Sequence, residues 1–145
     1  MELSLRSATE SDIGFLLTLR DKTMRSYLEE AGMPTCREEY EKRIRYQFDH
    51  AKIVEMAGKP IGLFKAAYNS EQNYWSLIQI QIAPEYQGMK IGRRLIGQLI
   101  EQAKVAGATV GLSVIKTNPA RDLYSRLGFK VVGSSGSELI MERHS

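Results

Sequence analysis

Two stretches of this chain place residues where they could do chemistry. The first is Ile80-Gln81-Ile82-Ala83-Pro84-Glu85-Tyr86-Gln87-Gly88-Met89-Lys90-Ile91-Gly92-Arg93-Arg94-Leu95. It reads as a strand running through a glycine loop straight into a helix. The first N–H groups of such a helix have no partner inside it and carry about half a positive charge, so they favour an anion. Gly88 and Gly92 let backbone approach a ligand with no Cβ in the way. Lys90, Arg93 and Arg94 add formal charge beside them. A tight turn also needs glycine for its own sake, so the segment reads either as an anion site or as a plain connection. Two nucleotide motifs are excluded: no glycine stands ahead of a Gly-Lys-Ser/Thr string, and no G-x-G-x-x-G follows the first strand.

The second stretch is Val114-Ile115-Lys116-Thr117-Asn118-Pro119-Ala120-Arg121-Asp122-Leu123-Tyr124-Ser125-Arg126-Leu127-Gly128-Phe129. Asn118 suits an N-cap, Pro119 a first helical position and Gly128 a C-cap, so structure alone accounts for these three. Tyr124 reads as a half-buried core tyrosine with its hydroxyl satisfied, the more common fate of such a residue.

Charge singles out the same two stretches. The whole chain carries +3, but residues 86–104 and 116–130 each hold four Lys/Arg against one acid, leaving the remainder net negative. This suits an anionic ligand in the second half. Nucleic acid is a poor fit, because no dense basic stripe with interleaved aromatics is present.

The elements that must position these residues fit one domain over residues 1–145, since 145 residues leave room for a single core. A composition of 43% hydrophobic and 26% charged residues excludes a mostly disordered chain. The lone Cys36 excludes an internal disulfide and a four-cysteine metal site, so no metal is expected. No apolar run approaches the ~20 residues of a membrane span, and residues 1–6 do not read as a leader, so a cytoplasmic protein is expected. The pattern predicts a short strand at Leu3–Leu5 and a helix from about Ile13 to the Gly32-Met33-Pro34 stop. Thr35 then caps a second helix, with Glu38 closing a capping box. Strands follow at 53–56 and 61–68 around a turn at Ala57-Gly58-Lys59-Pro60, and a third runs from Tyr74 to Ile82. A helix at 91–106, a strand at 110–115, a short helix at 119–127 and closing strands at 129–132 and 138–141 complete a mixed α/β sheet.

Taken together, Pro-x-Tyr-Gln-Gly-x-x-Ile-Gly and, about 25 residues on, Asn-Pro-Ala-x-x-Leu-Tyr-x-x-Leu-Gly-Phe resemble the GNAT superfamily of acyl-CoA-dependent N-acetyltransferases. The order of elements along nearly the whole chain resembles that family too. The resemblance implies a mostly antiparallel sheet splayed in the middle, flanked by about four helices, with acetyl-CoA in the V-shaped opening. It implies that the backbone of Ile80 polarises the thioester carbonyl and that Ile82 pairs with the pantetheine arm. It further implies that Gln87, Gly88, Met89, Lys90, Ile91, Gly92 and Arg93 cradle the pyrophosphate. Asn118 would bond the pantetheine, Arg126 would reach the 3′-phosphate, and Tyr124 would protonate the departing thiolate. Gln87 and Gly92 match the first and last positions of the family's Gln/Arg-x-x-Gly-x-Gly/Ala motif. Lys90 stands where a glycine is usual. It either adds a cation beside the pyrophosphate or, if the position needs positive φ, alters the loop. The first reading is favoured because the motif's main donors are backbone N–H groups.

No general base is named. Glutamate is frequent on the family's central strand, but Gln79 and Gln81 stand there, and an amide is not a base. Glu55, Glu71, Glu85 and a water chain are the alternatives, while His50 reads as a helix-terminal charge. Tyr27, Glu29, Glu30, Tyr40, Trp75, Gln79 and Gln81, with the loop at 69–73, are candidates for an acidic or aromatic acceptor recess. The implied activity is acetyl transfer from acetyl-CoA to a primary amine, on a small molecule in preference to a protein. The alternatives are a protein or peptide acetyltransferase and a non-catalytic acyl-CoA-binding module. A homodimer through the closing strands is a further expectation by analogy.

Overall fold

The computed structural model describes residues 2–144. Seven strands hydrogen-bond in the order β1-β2-β3-β4-β5-β7-β6. They are β1 (Leu3–Ser7), β2 (Ala51–Met56), β3 (Lys59–Asn69), β4 (Tyr74–Ile82), β5 (Thr109–Ile115), β6 (Lys130–Ser135) and β7 (Glu138–Arg143). The helices are α1 (Ile13–Glu30), α2 (Arg37–Arg45), α3 (Ile91–Ala106) and α4 (Ala120–Arg126). This is the expected mixed α/β class. Antiparallel ladders join β1 to β2, β2 to β3, β5 to β7 and β6 to β7, while β4 and β5 are parallel. The parallel ladder joins Tyr74–Leu77 to Thr109–Leu112, and β4 itself continues to Ile82. Two compact units divide the chain, Met1–Lys65 with Gln79–Gly92 and Ala66–Ile78 with Arg93–Ser145.

In the first unit Ile13, Leu16 and Leu19 recur at helical spacing on α1 and pack with Ile44, Ala51, Ile53 and Leu63. The entry to α1 is fixed by charge. Asp12 Oδ2 accepts the Thr9 N–H at 2.8 Å, and the Asp12 carboxylate takes two 2.9 Å hydrogen bonds from Arg6. Those bonds to Arg6 pull the Asp12 carboxyl down to about 2. The capping box expected at Thr35 does not form. Cys36 precedes α2 and makes no side-chain cap, while the box-like bond forms at Thr9 and Asp12. The β2–β3 turn is tighter than expected: only Ala57 and Gly58 lie outside the strands, both at positive φ (51° and 80°), and Pro60 is already paired with Glu55. Two central residues of positive φ match the twist of a hairpin.

In the second unit β5 is buried along most of its length, and Gly111 is where a side chain of β4 crosses it. A Cβ at Gly111 would collide with the ring and hydroxyl of Tyr74, whose hydroxyl donates to Glu142 Oε2 at 2.8 Å. Gly107 at φ 63° ends α3 as expected. The first closing strand starts one residue later than the sequence pattern indicated, and both closing strands run further at their ends.

Candidate active site

The loop between β4 and α3 begins with a short 3-10 turn at Pro84–Tyr86. The Ala83 N–H donates to Ile61 O at 2.8 Å and the Tyr86 N–H to Ala83 O at 2.9 Å, which ties the loop to β3. Gln87, Gly88, Met89 and Lys90 are exposed, whereas Ile91 is buried and anchors the start of α3. Gly88 has φ 84° and Lys90 has φ 61°. A left-handed residue joined to a right-handed or turn residue is the backbone pattern that gathers N–H groups into an anion-binding concavity, and Gly88 and Lys90 supply the left-handed members. The position of Lys90 therefore does need positive φ, and the lysine adopts the conformation a glycine would take. That costs about 1–2 kcal/mol, and the loop keeps its shape while gaining a cation.

Gln87 does something the motif alone did not show. Its Nε2 donates to Ile82 O at 2.9 Å, bracing the end of β4 from inside the loop. The Ile82 carbonyl keeps a second lone pair for an incoming donor. Gly92 is half-buried, and a Cβ there would lie 3.8 Å from Ile80 Cδ1. Arg93 and Arg94 are exposed in the first turn of α3. These residues suit a diphosphate: exposed backbone, left-handed turns and cations, with no acidic side chain in the first turn of α3.

In the second unit the Asn118 Oδ1 accepts the Ala120 N–H at 2.9 Å, so Asn118 performs the expected capping although α4 starts one residue later. Gly128 ends α4 with φ 96°, and the Phe129 N–H reaches back to Tyr124 O at 3.0 Å. Tyr124 is 7% exposed and stacks edge-on with Phe129 at 5.9 Å between ring centroids. Burial pushes its hydroxyl up to about 12. No group among the described residues hydrogen-bonds that hydroxyl. Arg126 is exposed.

On the acceptor side, the candidate acids are engaged or peripheral. Glu55 Oε2 takes a 2.8 Å ion pair from Arg6, so it braces β1 and is not an available base. Glu29 pairs with Arg25 at 3.3 Å. Glu30, Glu71 and Glu85 are exposed, and His50 stands 3.7 Å from Asp49. Tyr40 donates to Asp21 at 2.8 Å, and burial first, then that bond, raises its hydroxyl to about 12. Trp75 packs on Tyr68 at 5.2 Å, and Tyr27 is half-buried.

Sequence reading missed Lys65. Its side chain is wholly buried, and its ammonium donates to the carbonyls of Arg43 (3.2 Å), Ile44 (2.9 Å) and Tyr46 (2.5 Å) at the end of α2. Burial, then the charges of Arg43 and Arg20, lower it to about 8. The signal was present: period two puts Lys65 on the face of Ile61 and Leu63, inside. Among the described residues no group of three or more His, Cys, Asp or Glu gathers to hold a metal, and no helix is long and apolar enough to cross a membrane.

A sequence model of the acetyltransferase (GNAT) family matches residues 16–129. The chain belongs to the GNAT family. One relative of this GNAT chain is the [ribosomal protein bS18]-alanine N-acetyltransferase of Haemophilus influenzae, 45% identical over 58 residues. That match spans 39% of this chain and only 40% of the relative's length. Two solved structures share the fold. An acetyltransferase from Thermus thermophilus superposes with a TM-score of 0.78 at 21% identity, covering 100% of this chain and 98% of its own. The PaiA N-acetyltransferase of Thermoplasma acidophilum, solved with coenzyme A, superposes with a TM-score of 0.75 at 22% identity, with 100% of each chain covered.

Proposed function

We propose that this GNAT chain transfers an acetyl group from acetyl-CoA to the primary amine of a small acceptor. The observation that carries the reading is the β4–α3 loop, where Lys90 holds a glycine conformation and so preserves a backbone shape suited to a diphosphate. The backbone of Gln87 to Gly92 binds the pyrophosphate, with Lys90 and Arg93 as counter-charges and Arg126 for the 3′-phosphate. Ile82 pairs with the pantetheine arm, Asn118 adds a bond to it, and the Ile80 backbone polarises the thioester carbonyl. The amine nitrogen forms a bond to the carbonyl carbon as the carbon–sulfur bond breaks. The leaving thiolate takes its proton from Tyr124, whose buried hydroxyl stays protonated at neutral pH. The amine's own proton passes to solvent, since Glu55 is held by Arg6. A cytoplasmic setting suits the single exposed cysteine, Cys36.

The test is binding first and turnover second. Acetyl-CoA at about 100 times its dissociation constant should stabilise the protein by about 2.7 kcal/mol, a shift of several degrees in Tm. Thiol release is then followed over amines, amino acids and short peptides. No thermal shift at millimolar acetyl-CoA overturns the reading, and a shift with no acceptor in the panel turning over favours a binding module instead.

A further inference from the structure

Helix α2 is closed from outside itself. The last carbonyls of a helix have no partner within it, and a left-handed glycine just past the end is the common device that satisfies them. No glycine stands here: Tyr46 ends α2 in an extended conformation, and Gln47 takes a left-handed φ of 49°. The carbonyls of Arg43, Ile44 and Tyr46 turn instead to the ammonium of Lys65, 19 to 22 positions away on β3. An ammonium has three N–H groups, and these three carbonyls use all of them. The helix dipole favours a cation at this end, yet the side chain is wholly buried, a rare fate for a lysine without such partners. Taking a charge out of water costs several kcal/mol, so volume alone does not call for a lysine here. The other polar ties of α2 are weaker. Arg45 meets Glu10 at 2.9 and 3.0 Å on the surface, where an ion pair is worth about 1 kcal/mol or less, and Tyr40 makes one bond to Asp21.

We infer that Lys65 is a positioning residue for the acceptor: its ammonium fixes the height and tilt of α2 over the sheet, and α2 in turn bounds the recess that the amine enters. This rests on the acetyl-transfer reading, with the acceptor on the side of α1 and α2. Alternation along β3 puts Lys65 on the face of Leu63, which packs with Leu16 and Leu19 of α1 and Ile44 of α2. A Cβ at Gly62 would meet Ile82 Cδ1, so Gly62 and Ile82 share one face, and Lys65, Gln79 and Gln81 share the other. Over β3 the helices thus rest on apolar contacts and on Lys65. Over β4 three atoms, Gln79 Nε2, Gln79 Oε1 and Gln81 Oε1, find no partner within the chain and are left to solvent or a bound molecule. Pinned at its head by three bonds and packed along its stem, Lys65 is a strut between β3 and the end of α2. Such a strut matters to a docking wall, because a misplacement of about 1 Å from a change far from the chemistry costs up to about 100-fold.

The experiment compares Lys65→Met, which keeps the length and removes the donors, with Arg45→Gln, which breaks the exposed tie at the same helix end. Thiol release is followed with the best acceptor of the amine, amino-acid and peptide panel, and acetyl-CoA binding is titrated separately. The placement of α2 is read by fluorine NMR from a trifluoromethyl label on the lone Cys36, which is exposed at the N-cap of that helix. In Lys65→Met the acceptor KM should rise about tenfold, with kcat and the acetyl-CoA dissociation constant each within about twofold, and the Cys36 resonance should shift or split. Arg45→Gln should leave each of these readouts native. If Lys65→Met fails to fold, Lys65→Arg keeps the charge but changes the shape and reach of the head. It should raise the acceptor KM about threefold or more and displace the Cys36 resonance, with acetyl-CoA binding unchanged. A native acceptor KM or an unmoved resonance in the variant that folds overturns the inference. So does a loss shared equally by acceptor KM, kcat and acetyl-CoA binding, which is the mark of a purely structural lysine. Absence of turnover with every member of the panel refutes the transfer reading instead, and the fluorine spectra still decide whether Lys65 places α2.

Discussion

Replacing Tyr124 by phenylalanine separates chemistry from packing in this fold. The ring is 7% exposed and packed edge-on against Phe129, and a phenylalanine keeps both features. The hydroxyl has no hydrogen-bond partner among the described residues, so its removal forfeits no internal bond and should change stability by less than about 1 kcal/mol. Protonation of a leaving thiolate, in contrast, is worth about 10²–10³-fold in rate when a general acid performs it, or about 3–4 kcal/mol of barrier. The expected outcome for Tyr124→Phe is therefore a Tm close to the native one and a kcat lower by about two orders of magnitude. Because burial holds the native hydroxyl at about 12, the deficit should be the same from pH 7 to pH 10, with no alkaline limb from this group. Stability carries an independent check with a definite sign. A tyrosine raised above its unfolded value of about 10 holds its proton longer in the native state, so its contribution is complete below pH 10 and is lost as pH rises toward 12. Tyr124→Phe should flatten that decline by about 1.4 kcal/mol per pH unit. Thiol release at saturating acetyl-CoA and thermal melts over the same pH series measure both quantities. An undiminished rate in the variant refutes the acid role. A rate loss matched by an equivalent loss of Tm refutes the separation of chemistry from packing.

Lys90→Gly should raise stability slightly, by about 0.5 kcal/mol, because relief of the left-handed φ of 61° outweighs glycine's entropy in the unfolded chain. The same variant should bind coenzyme A a few-fold more weakly at low salt and equally at about 0.5 M salt, as loss of an exposed counter-charge requires; a fall in Tm would sink the backbone part of this account. Gly62→Ala places a Cβ 2.5 Å from Gln81 O, so β4 must yield beside the site; a loss of about 2 kcal/mol and a smaller coenzyme A-induced shift are expected, and a native Tm would show that no close approach exists. Lys65, lowered to about 8, is neutral in the native state but charged in the unfolded chain between pH 8 and pH 10.5, so its contribution to stability rises with pH over that window. The stability of the native protein relative to Lys65→Met should rise by up to about 3 kcal/mol from pH 7 to pH 10.5 in urea melts, and a constant difference would contradict it.

The parts legible in the sequence are those where a residue type answers to a local rule. Alternation and helical spacing located β2, β3, β4 and α3, and Gly107 and Gly128 marked helix ends because only the left-handed region closes them well. The glycine turn between β4 and α3 was legible for the same reason. What local rules do not carry is the partner a side chain finds across the fold. Glu55 looked like a possible base until Arg6, 49 positions away, claimed it, and the bond by which the Gln87 amide braces Ile82 is likewise invisible in the sequence. Thr35 and Cys36 show the limit at short range: a serviceable capping string lost to a boundary set by packing of Tyr40 and Ile44. Gln79 and Gln81 are the instructive middle case. Their types excluded a base at once, but that each is buried with orphan atoms depends on α1, α2 and β3 closing over them. A glutamate in such a place would have to shed its charge or find a cation, while a carboxamide stays neutral at any pH.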